Sequence, residues 1–159
     1  MATFPTMGAY RNLKMLCDMN DKVFGEMQFH VGWCKTETIP LWGNRYSFMV
    51  RVSALRNELP NERQQMAYRT FKEQLETIGR ETLGPVRDFL AAHTDEAVEV
   101  LGQPLPLNLT DLLRPDQVLF FQSGHTALLF DVAWTDEEVA ILLGPSVRVD
   151  YGDILDGEI

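Results

Sequence analysis

Cysteine is scarce in this chain: Cys17 and Cys34 are the only two among 159 residues. Two thiols cannot form the dense disulfide framework of a small secreted scaffold. The N-terminus, Met1-Ala2-Thr3-Phe4-Pro5-Thr6-Met7-Gly8, has no basic stretch leading into an apolar core. It therefore does not read as a signal peptide, and a cytoplasmic location is expected, with both cysteines as free core thiols. No apolar run approaches the ~20 residues of a membrane span, so no membrane partner is expected. Internal repeats and low-complexity segments are absent. Basic residues are few, 14 Lys and Arg against 23 Asp and Glu, for a formal charge of −9. Clustered cations carry phosphate affinity, so nucleic acid is not an expected partner.

Apolar residues are plentiful. Hydrophobic types make up 45% and aromatics 10% of the chain, enough for a packed core and too much for a disordered chain. The length fits one domain over residues 1–159, with a core over about 23–155. From Val23 to Val31, Val23, Gly25, Met27, Phe29 and Val31 alternate with Glu26, Gln28 and His30, the period of a half-buried strand. Arg45–Ser53 alternates likewise through Tyr46, Phe48, Val50 and Val52. Between them Ile39–Trp42 reads as a short strand, and Gly43-Asn44 as a turn. After Pro60 the rhythm changes: Tyr68, Phe71, Leu75 and Ile78 are spaced three, four and three, a helix face. The spacing predicts one bent or two consecutive helices over Asn61–Ala92, with Gly79 and Gly84-Pro85 as the weak points.

Residues 94–110, carrying Gly102, Pro104, Pro106 and Asn108, read as a long connection. A short helical turn over Leu109–Leu113 follows, stopped by Pro115. Strands then return at Val118–Gln122, Thr126–Trp134, Val139–Leu143 and Val147–Tyr151, with turns at Ser123-Gly124-His125, Thr135-Asp136-Glu137 and Gly144-Pro145. Runs of strands, then helices, then strands predict an α+β fold: an antiparallel sheet with a helical segment inserted between its N-terminal and C-terminal strands and packed on one face.

The residues offer little chemistry. His30 and Cys34 are four apart, but on a strand pattern, and no second pair completes a zinc site. Cys34 with His125 and an Asp is the constellation a cryptic hydrolase would use, although no local signature surrounds either residue. Gly79 and Gly84 lack the preceding strand and the Lys-Ser/Thr of a phosphate loop. Asp136-Glu137-Glu138 and Asp153 with Asp156 lack the alternating ligands and central Gly of a calcium loop, and read as exposed acidic turns. No metal, no cofactor and no catalytic residue is therefore expected. Trp33, Trp42 and Trp134 read as core or core-edge anchors, with Trp33 and Trp42 the more exposed.

Two stretches carry a resemblance. One is Gln64-Gln65-Met66-Ala67-Tyr68-Arg69-Thr70-Phe71 with Ile78 and Val86-Arg87-Asp88-Phe89-Leu90. The other is Ala127–Glu138, ending Trp134-Thr135-Asp136-Glu137-Glu138, with Val149–Ile154. Together they resemble a family of small uncharacterised bacterial α+β domains with an acidic Trp-Asp-x-Glu terminal hairpin. The chain departs from that family where Val139-Ala140-Ile141-Leu142-Leu143 replaces a Gly-Leu-Gly-Val type run. The resemblance implies an immunity or accessory role in bacterial competition, no enzyme activity and no transferable site residues.

Charge distribution points the same way. Residues 1–93 hold 12 basic and 10 acidic side chains, +2, and residues 94–159 hold 2 basic and 13 acidic, −11. A non-enzymatic domain that binds a basic protein, such as a bacterial toxin, is the leading expectation. Trp134, Asp136, Glu137, Glu138, Asp150, Tyr151, Asp153 and Asp156 are its expected contact residues. A structural subunit that self-associates through apolar residues such as Met15, Met19, Trp33 and Trp42 is the second reading, and the Cys34–His125 hydrolase the third.

Overall fold

The computed structural model describes residues 18–30, 32–55 and 58–158. Eight strands form one sheet in sequence order: β1 (Asp18–Asp21), β2 (Gly25–Phe29), β3 (Trp33–Leu41), β4 (Asn44–Val52), β5 (Leu113–Phe120), β6 (Thr126–Val132), β7 (Val139–Leu143) and β8 (Arg148–Tyr151). Three helices intervene between β4 and β5: α1 (Glu62–Glu73), α2 (Leu75–Ala92) and α3 (Thr94–Leu101). They pack against one face of the sheet, which makes the fold α+β as the pattern of elements implied. Cys17 and Met15 lie outside the described residues, as does Val31.

The sheet is not wholly antiparallel. β4 and β5 run parallel, Val50 opposite Val118 and Val52 opposite Phe120. The reason is the helical insertion, which carries the chain back to the starting end of the sheet, as a crossover between parallel strands requires. Two antiparallel four-stranded halves thus meet at one parallel seam.

Gln64 secures that seam. Asn61 caps α1 by accepting from the Gln64 amide at 2.9 Å, and the Gln64 side chain accepts from the Asn61 amide in return. The Gln64 Nε2 then donates to Ser53 O at 2.7 Å and Phe120 O at 3.0 Å, one carbonyl from the end of each parallel strand. A single buried amide therefore starts the helix and closes the sheet. Behind it, Phe24, Tyr68, Phe71 and Phe120 pack as an aromatic cluster, with ring centroids 4.5–5.8 Å apart. Tyr68 and Phe71 are buried as their spacing indicates; Leu75 and Ile78 are half-buried against the same core.

Several boundaries differ from the sequence reading. β1 was not legible in the pattern, and β3 spans nine residues rather than Ile39–Trp42, which places Cys34 within a strand. The hairpin turn is Trp42-Gly43, one residue earlier than Gly43-Asn44, with φ of 53° and 81°. Trp42 is drawn into the left-handed region by its ring stacked on Phe130 at 5.4 Å and by its Nε1 donating to Thr82 Oγ1 at 3.0 Å. The helical break falls at Gln74, and α2 continues through Gly79, Gly84 and Pro85. Residues 94–101 are helix rather than connection: Ala97 is buried, and Gly102, at φ 65°, ends α3. Trp33, read as a core-edge anchor with partial exposure, is buried, and its Nε1 donates to Glu58 O at 2.7 Å.

Candidate functional site

The second face of the sheet carries the acidic residues. β6 is buried on both sides, because helices cover Leu128 and Phe130 while the C-terminal 3-10 helix (Gly152–Glu158) covers Ala127 and Leu129. Leu155, 4% exposed, is the plug of that small outer cluster. The Gly152 amide donates to Glu138 O at 2.9 Å, joining this helix to the turn between β6 and β7.

The turn turns its aromatic residue inward and its carboxylates outward. Trp134 is 4% exposed, and its Nε1 donates to Tyr151 Oη at 3.2 Å. The Tyr151 ring in turn meets Phe89 and His93 of the α2 end, each at 5.3 Å. Trp134 is thus a core residue that shapes the turn, a correction to its expected place on a contact surface. Tyr151 is half-buried, and burial raises its hydroxyl above the ordinary tyrosine range. Asp136, Glu137, Asp150, Asp153 and Asp156 are all exposed. Glu138, at the foot of β7, is half-buried.

Glu138 is where the charges crowd. Asp116 on β5, Asp131 at the end of β6 and Glu138 each place a carboxylate oxygen within 4.8 Å of the other two. Asp116 comes there through a β-bulge, since the β5–β6 register shifts between Pro115 and Gln117. Burial first, then the facing Asp116 and the charge of Asp131, push the Glu138 carboxyl up to about 8. Its Oε2 is buried with no hydrogen-bond partner. The sequence grouping of Glu138 with Asp136 and Glu137 is therefore not the spatial one. Asp116 and Asp131 were missed because a bulge has no dependable sequence signal; Pro115, which cannot donate to a ladder, was the available hint.

Elsewhere the site residues do not converge. Cys34 is a free, buried thiol. His125 lies at the rim of a cleft of about 630 Å³ between α1, α2 and the sheet end, floored by Phe71, Ile78, Leu143 and Val147 and flanked by Arg63; Cys34 does not line it. Between β3 and α1, Tyr68 Oη lies 2.9 Å from both Lys35 Nζ and Glu37 Oε1, and Lys72 pairs with Glu37 at 2.5 Å. Burial lowers the Lys35 ammonium and raises the Tyr68 hydroxyl. This network links the first helix to the sheet, and none of its groups faces a described cavity.

No family model matches the chain, and neither a curated protein nor a solved structure is similar to it. No helix among the described residues is long and apolar enough to cross a membrane.

Proposed function

We propose that the protein is a non-enzymatic binding domain whose acidic end engages a basic protein, in the manner of an immunity protein that neutralises a toxin. The observation that carries this reading is the exposed set Asp136, Glu137, Asp150, Asp153 and Asp156, held by the β6–β7 turn, β8 and the helix that follows it. These elements are tied to one another by the Gly152–Glu138 and Trp134–Tyr151 hydrogen bonds. A rigid array of like charges raises the encounter rate with an oppositely charged partner and disfavours acidic competitors. Arg148 is the one Lys or Arg after Arg114 in the sequence.

The experiment is capture of binding proteins on the immobilised full chain at low salt, followed by identification and measurement of each at two ionic strengths. A basic protein that binds with an association rate falling steeply as salt rises is the expected result. Partners that bind equally well in high salt, or a substrate turned over by the purified chain, would contradict it.

A further inference from the structure

The β3–β4 turn and α2 enclose a second cleft, of about 620 Å³, made of residues that the acidic end does not use. Leu41, Trp42, Leu75 and Leu83 give it an apolar lining, and Arg45 and Arg80 bring one cation each from the turn and the helix. We infer that this cleft binds a small organic anion with an apolar body: an aryl or alkyl carboxylate, or its sulfonate or phosphate counterpart. The inference goes beyond the partner-binding reading and does not depend on it.

Shape is the first support. The volume lies within the roughly 300–1,000 Å³ of sites that bury most of a small molecule's surface. Two residues keep the space open. Trp42 is the one non-glycine residue with positive φ among the described residues, at 53°. Such strained positions concentrate at ligand-binding sites. Its ring is stacked on Phe130 and its Nε1 is held by Thr82, so the indole is a fixed part of the wall. Gly79 of α2 also lines the cleft. A Cβ there would already touch Leu41 at 3.8 Å and the Trp42 backbone nitrogen at 3.9 Å. A longer side chain at this position would enter the space that the glycine leaves.

Charge chooses the ligand. Among the described residues neither Arg45 nor Arg80 makes an ion pair, and the hydrogen bond of Arg80 is a 3.3 Å contact with Thr77 Oγ1. Residues 1–17, 31, 56 and 57 add no Asp or Glu to the chain. Glu76 is the one carboxylate of the lining. It lies four residues before Arg80, at helix-neighbour spacing, and forms no ion pair with it. Two arginines against one glutamate leave this lining a net +1 in a chain of −9. Guanidinium groups offer paired N–H donors that match carboxylate and phosphate oxygens. Two of them, from different elements and at the edge of an apolar space, are the few convergent polar groups that orient a ligand. The leucines and Trp42 then take its apolar body out of water.

The test uses the full chain and two dyes that share one ring system: anilinonaphthalene sulfonate, an anion, and N-phenylnaphthylamine, which is uncharged. Each is titrated at pH 7, well below the melting temperature, with dye fluorescence as the readout. Saturable binding of one sulfonate per chain is expected, tighter than about 1 mM. Arg45→Gln and Arg80→Gln should each weaken the sulfonate by roughly fivefold or more and leave the uncharged dye unchanged. Gly79→Leu should weaken both dyes. Arg45 and Arg80 are exposed, so their variants report on binding even if Gly79→Leu folds poorly. Two results would overturn the site: no saturable sulfonate binding up to about 1 mM, or sulfonate binding that both arginine variants retain in full. The second would place the dye elsewhere on the chain. Neither readout involves a protein partner, so the site and the partner-binding reading fail separately.

Discussion

At the scale of single residues, two side chains carry more than their sequence positions advertise. Gln64 opens a Gln-x-x-Ala-Tyr stretch in the sequence, and its task depends on β4 and β5 lying side by side. Replacing it with Leu leaves the Ser53 carbonyl without its donor and removes half of the capping box. Gln64→Leu should cost about 1–3 kcal/mol, read by urea unfolding. A neutral effect would mean that water serves both carbonyls equally well. Glu138 gives a prediction with a defined sign. Its folded-state value, about 8, lies above the ordinary 4.5, so the folded chain holds the proton more tightly than the unfolded one. The stabilisation is complete below about pH 4.5 and is lost as pH rises towards 8. Glu138→Gln carries no such dependence. The melting temperature of Glu138→Gln relative to the native chain should therefore climb from pH 5 to pH 8. A gap that stays constant across that window would show that Glu138 titrates normally.

At the scale of elements, period was the reliable guide and connectivity was not. The change from alternation to a three-four rhythm located the α1 face, and Tyr68 and Phe71 are buried where that rhythm puts them. Phe71→Ala should cost ~3–5 kcal/mol, because its ring packs on Phe120 and the site cannot fully collapse; a loss below about 1 kcal/mol would place the ring outside the core. Where local chemistry competed with tertiary contacts, the contacts won. Trp42 adopts a positive φ for the sake of Phe130 and Thr82, which moved the hairpin by one residue. α3 lies immediately before Gly102, Pro104 and Pro106, whose turn signals mask a helix that ends at Gly102. Pro85 did not end α2, whose buried residues Thr82, Val86, Phe89 and Leu90 hold the helix against the sheet on both sides of it. Parallel pairing of β4 and β5 was illegible because strand direction depends on where the insertion returns the chain, and no residue of either strand records that.

At the scale of the whole molecule, the division of charge is the dominant feature. The +2 and −11 segments were countable from the sequence, and the fold adds which carboxylates stand in solvent and which are crowded together. Asp136, Glu137, Asp150 and Asp153 are exposed; Glu138 is half-buried and belongs with Asp116 and Asp131. Neutralising the exposed group should alter encounter with a basic partner, while Trp134, buried behind the turn, should report on stability. Trp134→Ala is expected to destabilise the chain by ~3–5 kcal/mol, measured by thermal or denaturant unfolding.

The most direct measurement is the association rate of the captured basic partner with the native chain and with the Asp136→Asn, Glu137→Gln, Asp150→Asn, Asp153→Asn variant, by stopped flow at low salt and at physiological salt. Screening acts over ~8 Å at physiological ionic strength. The account predicts that the variant associates about ten times more slowly or worse at low salt, that the two chains converge as salt rises, and that dissociation changes little. Equal association rates at low salt would contradict the acidic end as the surface that meets the partner.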